Sequence, residues 1–139
     1  MLENFDFALL DNEDFKEDSV REFIIAPILA RLGFVVKNDK SPQKLEMLLS
    51  KTLKAQIQIG SNKSIDTDLT PDYLLCVGGK NACVLDAKSP KIDISKGSKA
   101  QKQALSYMLA FETSLYALCN GKVLIIYETA KQKIKLDLL

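Results

Sequence analysis

The chain has 139 residues, 47% hydrophobic and 27% charged, a size and mixture that fit one ordinary globular domain with one core. A formal net charge of +1 excludes a polycation, so any grip on nucleic acid must come from a local patch, a second copy (a homodimer) or an additional domain. There is no His and no C-x-x-C pair, no apolar run long enough for a bilayer, and no signal-peptide pattern at the acidic start. These features argue against imidazole catalysis, structural zinc and membrane insertion. A cytoplasmic protein with no membrane partner is expected, with Cys76, Cys83 and Cys119 as buried reduced thiols.

Residues 1–13 read as a loosely packed arm or short helix. Asp14 is placed to cap a helix from about Phe15 to Leu32, stopped by Gly33 and kinked at Pro27. Val20, Phe23, Ile24, Ile28 and Leu32 form its expected buried stripe. Glu17 continues that line by one turn and so points toward the core side. It is either a carboxylate with a cation to meet or a first-turn Glu favoured by the helix dipole. Phe34 to Lys37 predicts a short strand. Ser41 and Pro42 then open a second predicted helix, to about Lys54, with Leu45, Leu48, Leu49 and Leu53 inward. Gln56 to Ile59 alternates like a half-exposed strand, and Gly60 to Thr70 reads as a polar loop.

Next come two apolar runs, Tyr73 to Val77 and Ala82 to Leu85, around Gly78-Gly79-Lys80-Asn81, a hairpin signal. Charged residues stand only at its outer ends. Asp86 and Lys88 share one strand face, with Ala87 turned away, and Asp72 lies at the matching end of the partner. Like charges opposed across strands repel, and a divalent metal on carboxylate oxygens relieves that repulsion. Parity decides whether the two carboxylates meet. A two-residue loop at Gly79-Lys80 puts Asp72 opposite Ala87, on the wrong face. A three-residue loop, or an even loop with a bulge near Asp72 that shifts register by one, brings Asp72, Asp86 and Lys88 to one face.

After a loop over Ser89 to Gly97, Ser98 caps a helix to about Thr113, with Ala104, Leu105, Met108, Leu109 and Phe111 expected inward. Gln103 and Tyr107, four apart, project together. Leu115 to Tyr127 predicts a second hairpin around Asn120-Gly121, and Lys133 to Leu138 a last strand.

Pro71-Asp72 followed by Asp86-Ala87-Lys88 resembles the PD-(D/E)xK nuclease signature in its Asp form. Glu17-Asp18-Ser19-Val20-Arg21 with Pro27-Ile28-Leu29-Ala30-Arg31-Leu32-Gly33-Phe34 looks like the opening helix of the nuclease domain in type I restriction enzyme R (motor) subunits. Gln103-Ala104-Leu105-Ser106-Tyr107 is similar to the Gln-x-x-x-Tyr motif that follows the catalytic Lys there, and Asn120-Gly121 fits the turn after it. Residues 38–70 carry no motif that joins the resemblance, Asp86 stands where Glu is more usual, and the motor domain that usually comes next is missing from this sequence, so a free-standing relative or an isolated domain of an R subunit is expected.

The resemblance implies an α/β (α+β) fold of restriction-endonuclease type: one domain over residues 1–139 with a central mixed sheet between helices. It implies a Mg²⁺-dependent endodeoxyribonuclease, with Mn²⁺ as a substitute, acting on double-stranded DNA and leaving 5′-phosphate and 3′-hydroxyl ends. Asp72, Asp86 and the Ala87 carbonyl are the implied metal ligands, with Glu17 joining directly or through water. Lys88 is implied to orient the attacking water or offset phosphorane charge, and Gln103 and Tyr107 to orient the Lys, the water or a phosphate. Motor, methyltransferase or specificity subunits are the implied partners. Lys91, Lys96, Lys99 and Lys102 read equally as DNA phosphate contacts or as a solvated face. The alternative for the whole chain is an inactive nuclease fold kept as a DNA-binding or assembly module.

Overall fold

The computed structural model describes residues 2–59 and 63–139; for 54–59 and 63–67 it describes the backbone alone. A seven-stranded mixed sheet lies between two helical layers, giving the α+β class expected. Its strands are β1 (Val35–Val36), β2 (Leu45–Leu49), β5 (Tyr73–Val77), β6 (Lys80–Ala87), β7 (Leu115–Cys119), β8 (Val123–Glu128) and β9 (Lys131–Asp137), neighbours in that order. Pairs β1–β2 and β6–β7 are parallel and the rest antiparallel. A separate antiparallel pair, β3 (Leu53–Ile59) and β4 (Lys63–Leu69), stands between β2 and β5 in the chain.

The first helical layer is one continuous run in three pieces: α1 (Glu17–Val20), a π turn (Arg21–Ile25) and α2 (Ala26–Leu32). Pro27 has no N–H to return to Phe23, and the wide turn sits just before it. An extra residue in that turn shifts the phase of the buried stripe. Val20 and Ile24 are buried as expected, but Ile25 and Leu29 continue the line, while Phe23 and Leu32 are about half exposed. Gly33 ends the helix at φ +97°, as predicted. Asp14 does not cap it. Lys16 holds the N-cap position without a side-chain bond, and Asp14 N–H turns back to Asn12. Of the two expectations for the N-terminal arm the short helix holds: Phe7–Asp11 is a 3-10 helix, and Leu10 is buried against Gly121.

The second layer is α3 (Lys99–Phe111). Its N-cap is Ser98, whose side chain accepts from Gln101 N–H, and Glu112 closes it in the left-handed region. Ala104, Met108 and Phe111 are buried and Leu105 partly so, but Leu109 is 66% exposed and faces away from the core. Alternation along the central strands splits the core. Leu74, Cys76, Val84, Tyr116 and Leu118 face α3; Tyr73, Leu75, Leu85, Ala87 and Ala117 face α1 and α2.

Two expectations fail between residues 41 and 70. The predicted helix from Pro42 to Lys54 is strand β2 followed by the start of β3, and the loop predicted over Gly60 to Thr70 contains β4. Leu45, Glu46, Met47, Leu48 and Leu49 favour a helix locally, but β2 pairs with β5 along its whole length and with β1 on its other side. Without β2, the buried strand β5 would present unpaired N–H and C=O groups at a sheet edge, a cost larger than a helix preference of tenths of a kcal/mol per residue, roughly. Gln56 to Ile59 lies in a strand as expected; its exposure and Gly60 itself fall outside the described residues.

Candidate active site

The β5–β6 hairpin takes an even loop, at Gly78-Gly79 rather than Gly79-Lys80, corrected by a bulge. Gly78 and Gly79 both have positive φ, +59° and +80°, the requirement of a two-residue type I′ turn, and Val77 pairs with Lys80. Continued unchanged, that register would put Asp72 level with Leu85. A bulge leaves Ala82 unpaired between Asn81 and Cys83, and beyond it Tyr73 pairs with Leu85. Asp72 therefore stands level with Asp86, and the two carboxylates share one face at the hairpin's end. The three-residue loop is absent, but its consequence for parity is obtained.

The two acids are interlocked. Asp72 N–H donates to Asp86 Oδ1 at 3.0 Å, and Ala87 N–H donates to Asp72 Oδ2 at 2.7 Å. The outer oxygens meet cations: Arg21 Nη1 lies 3.0 Å from Asp72 Oδ1, and Lys88 Nζ lies 3.1 Å from Asp86 Oδ2. Burial, then the neighbouring Asp86 charge, pushes the Asp72 carboxyl up to about 7; Ala87 N–H and Arg21 oppose that shift without cancelling it. Lys88 Nζ also donates to Gln103 Oε1 at 2.7 Å, and Gln103 Nε2 donates to the Tyr107 hydroxyl at 3.2 Å. A polar chain thus runs Asp86, Lys88, Gln103, Tyr107 from the sheet onto α3. Tyr107 is buried, but its hydroxyl reaches this chain. Burial, then the charges of Asp86, Asp72 and Glu17, pushes its pKa up to about 12, so it is neutral at pH 7.

Glu17 opens α1 and is exposed. It lines a cavity of about 440 Å³ with Lys88, Ile92, Lys99, Ala100 and Gln103, so both helical layers reach the site. Among the described residues, no group of three or more carboxylates, thiols or imidazoles is arranged to hold a metal ion, so Glu17 does not complete a three-carboxylate cage with Asp72 and Asp86. Lys91, Lys96, Lys99 and Lys102 are all exposed, and Lys99 lines the cavity. The loop carrying Lys91 and Lys96 is held by buried groups: Asn120 Nδ2 donates to the Ile92 carbonyl and the Tyr127 hydroxyl to the Ile94 carbonyl. Arg21 is the site residue to which the sequence reading gave no role. Its contact joins residues 51 apart, which no local pattern displays.

No family model matches the chain, and no curated protein matches it. A solved structure does. The chain shares its fold with a fragment of an HsdR subunit, assigned to a type I restriction enzyme of Vibrio vulnificus YJ016. The likeness has a TM-score of 0.59 and 19% identity, and covers 86% of this chain. At that identity it establishes the fold alone. The chain spans 22% of the HsdR fragment it matches. Among the described residues no helix is long and apolar enough to cross a membrane.

Proposed function

We propose that the chain is a Mg²⁺-dependent endodeoxyribonuclease of the PD-(D/E)xK kind, acting in DNA restriction. One observation carries the reading: Asp72, Asp86 and Lys88 converge at one end of the β5–β6 pair, with the carboxylates interlocked and buried. The fold shared with the HsdR fragment supports it. The donor set fits the ion. Two buried carboxylates are held together against their mutual repulsion, and hard oxygens with room for waters suit Mg²⁺, with Mn²⁺ as a substitute. Asp72, Asp86 and the Ala87 carbonyl would hold it, and exposed Glu17 would act through a water. When bound, the ion supplies Lewis-acid polarisation of the phosphate and a more acidic water.

The chain's own residues divide the remaining work. Lys88, fixed between Asp86 and Gln103, keeps its ammonium where an attacking water and a phosphate oxygen meet. It acts as donor and counter-charge rather than as free base. Gln103 hands orientation from Tyr107 to Lys88, through a carbonyl toward the ammonium and an amide N–H toward the phenol. Lys99 at the cavity wall, with exposed Lys91, Lys96 and Lys102, offers phosphate contacts along the duplex. Motor, methyltransferase and specificity subunits, as in a type I system, are the matching partners. Incubation with supercoiled plasmid and Mg²⁺ tests the reading. Nicked and linear products are expected, and intact plasmid at every Mg²⁺ and Mn²⁺ concentration, with duplex still bound, would instead support an inactive DNA-binding module.

Tyr107→Phe removes one hydroxyl whose partner, Gln103, is exposed and can turn to water. The expected stability change is within about 1 kcal/mol and the expected loss of cleavage rate about tenfold, the size of one neutral hydrogen bond. Thermal scans and plasmid nicking rates measure both; an unchanged rate would make Tyr107 a core residue only.

The pH dependence of stability has a definite sign. A carboxyl raised from its ordinary value of 3.8 to about 7 in the folded state favours the fold when protonated. That contribution is full below about pH 4 and is lost as pH rises through about 7. Metal-free protein is expected to melt higher at pH 5.5 than at pH 8. Mg²⁺ should raise the melting temperature more at pH 8, because proton and cation compete for Asp72. Differential scanning fluorimetry at both pH values decides this, and Asp72→Asn should flatten the dependence.

A further inference from the structure

The acidic pair carries its own cations. Two negative charges, on Asp72 and Asp86, are matched by two positive ones, on Arg21 and Lys88, at 3.0 and 3.1 Å. The two cations are held differently. Lys88 has a second tie, to Gln103, and its side chain is 15% exposed. Arg21 has one side-chain partner among the described residues, Asp72 Oδ1, and its side chain is 38% exposed. A guanidinium has five donors, and here one is engaged. The Arg21 backbone is anchored, since the Tyr73 hydroxyl donates to its carbonyl at 3.5 Å. Its side chain lies on the wall of a cavity of about 280 Å³, bounded also by Asp18, Glu22, Ser50 and Tyr73. A fixed base, a single tie and open space alongside describe a side chain built to leave its partner.

We propose that Arg21 is a displaceable counter-ion with two partners in turn. While the acidic pair carries no divalent cation, Arg21 neutralises Asp72. With a divalent cation held by Asp72 and Asp86, the guanidinium would be repelled from Asp72 and free to turn its fork to a phosphate oxygen of the DNA strand. Charge accounting supports the second partner. With Asp72 ionised, as it is when it holds a cation, the four side chains together are neutral, so a bound divalent cation would leave the site at a net charge of two plus, suited to a phosphodiester. Cation and DNA binding are therefore coupled through Arg21. This inference rests on the nuclease reading.

The test uses the full chain with Ca²⁺ and a short duplex as probes. Calorimetric Ca²⁺ titration of Arg21→Gln is expected to show binding about tenfold tighter than wild type, because a competing charge is gone. Ca²⁺ should tighten duplex binding by the wild type, and by about tenfold less in the variant. Equal or weaker Ca²⁺ binding by Arg21→Gln would overturn the proposal, weaker binding marking Arg21 as a residue that merely positions Asp72. If Arg21→Gln folds only with Ca²⁺, the counter-ion role is supported directly. If it folds under no condition, Arg21→Lys decides. That variant keeps the charge and loses the fork, so near-wild-type Ca²⁺ affinity with a reduced Ca²⁺ effect on duplex binding is expected, and an unreduced effect overturns the proposal. A wild type indistinguishable from Asp86→Asn in Ca²⁺ titration would remove the metal site, and both readings with it. Normal wild-type titration with indifferent Arg21 variants would remove this inference alone.

Discussion

Asp86→Asn is expected to lower plasmid cleavage by at least about a thousandfold, the scale seen when a preorganised electrostatic contact to the reacting centre is lost. The substitution is chosen for what it keeps. The amide oxygen can still accept from Asp72 N–H, the contact that locks the two strand ends. What it removes is one of two buried negative charges, and with it the second-largest cause of the raised Asp72 carboxyl. The metal-free variant loses both the repulsion from Asp72 and the ion pair to Lys88, two opposing changes, so near pH 8 it should melt close to wild type. Its melting temperature should stop responding to Mg²⁺. Activity and Mg²⁺ response lost together, with the fold intact by circular dichroism, form the signature of a metal-ligand defect. A variant that cleaves at the wild-type rate would remove Asp86 from the proposed mechanism.

The site was more legible in the sequence than the sheet that carries it. Asp72, Asp86 and Lys88 stand at the ends of apolar runs, and period-two alternation alone limits which of them can meet. The remaining question was parity. Parity was settled by a feature the sequence hides: Ala82, an ordinary small residue, is the bulge that converts an even loop into the register facing Asp72 with Asp86. Gly78 and Gly79 announced a turn with positive φ, but not whether it held two residues or three. The error over residues 42–54 has a different origin. Leu45, Leu48 and Leu49 fit a helical stripe as well as a buried strand, and their choice is made by β5, which lies more than twenty residues on. The slip in the first helix is one of phase: the π turn moves the buried stripe from Ile24 to Ile25 and Leu29, and Phe23 and Leu32 come out to the surface. Arg21 shows the limit of local reading, because its partner is brought to it only by the assembled fold.

Lys88→Met is expected to reduce cleavage by about a hundred- to a thousandfold while leaving metal binding in place. Met preserves the apolar stem that crosses from β6 toward α3 and removes only the ammonium. In wild type that ammonium is shared between Asp86 Oδ2 at 3.1 Å and Gln103 Oε1 at 2.7 Å. Losing it strips a cation from Asp86, so divalent affinity should hold or rise, and the Mg²⁺-dependent rise in melting temperature should persist. This separates the two variants: Asp86→Asn loses cleavage and the metal response together, whereas Lys88→Met loses cleavage alone. Lys88→Arg tests geometry against charge. Its broader planar fork retains the positive charge but cannot reproduce a point donor held between a carboxylate and an amide oxygen, so little activity should return. Titration with Mn²⁺, thermal scans with and without Mg²⁺, and nicking rates on supercoiled plasmid measure all three quantities. Loss of the metal response in Lys88→Met would show that the ammonium organises the carboxylates rather than acting on the water and the phosphate.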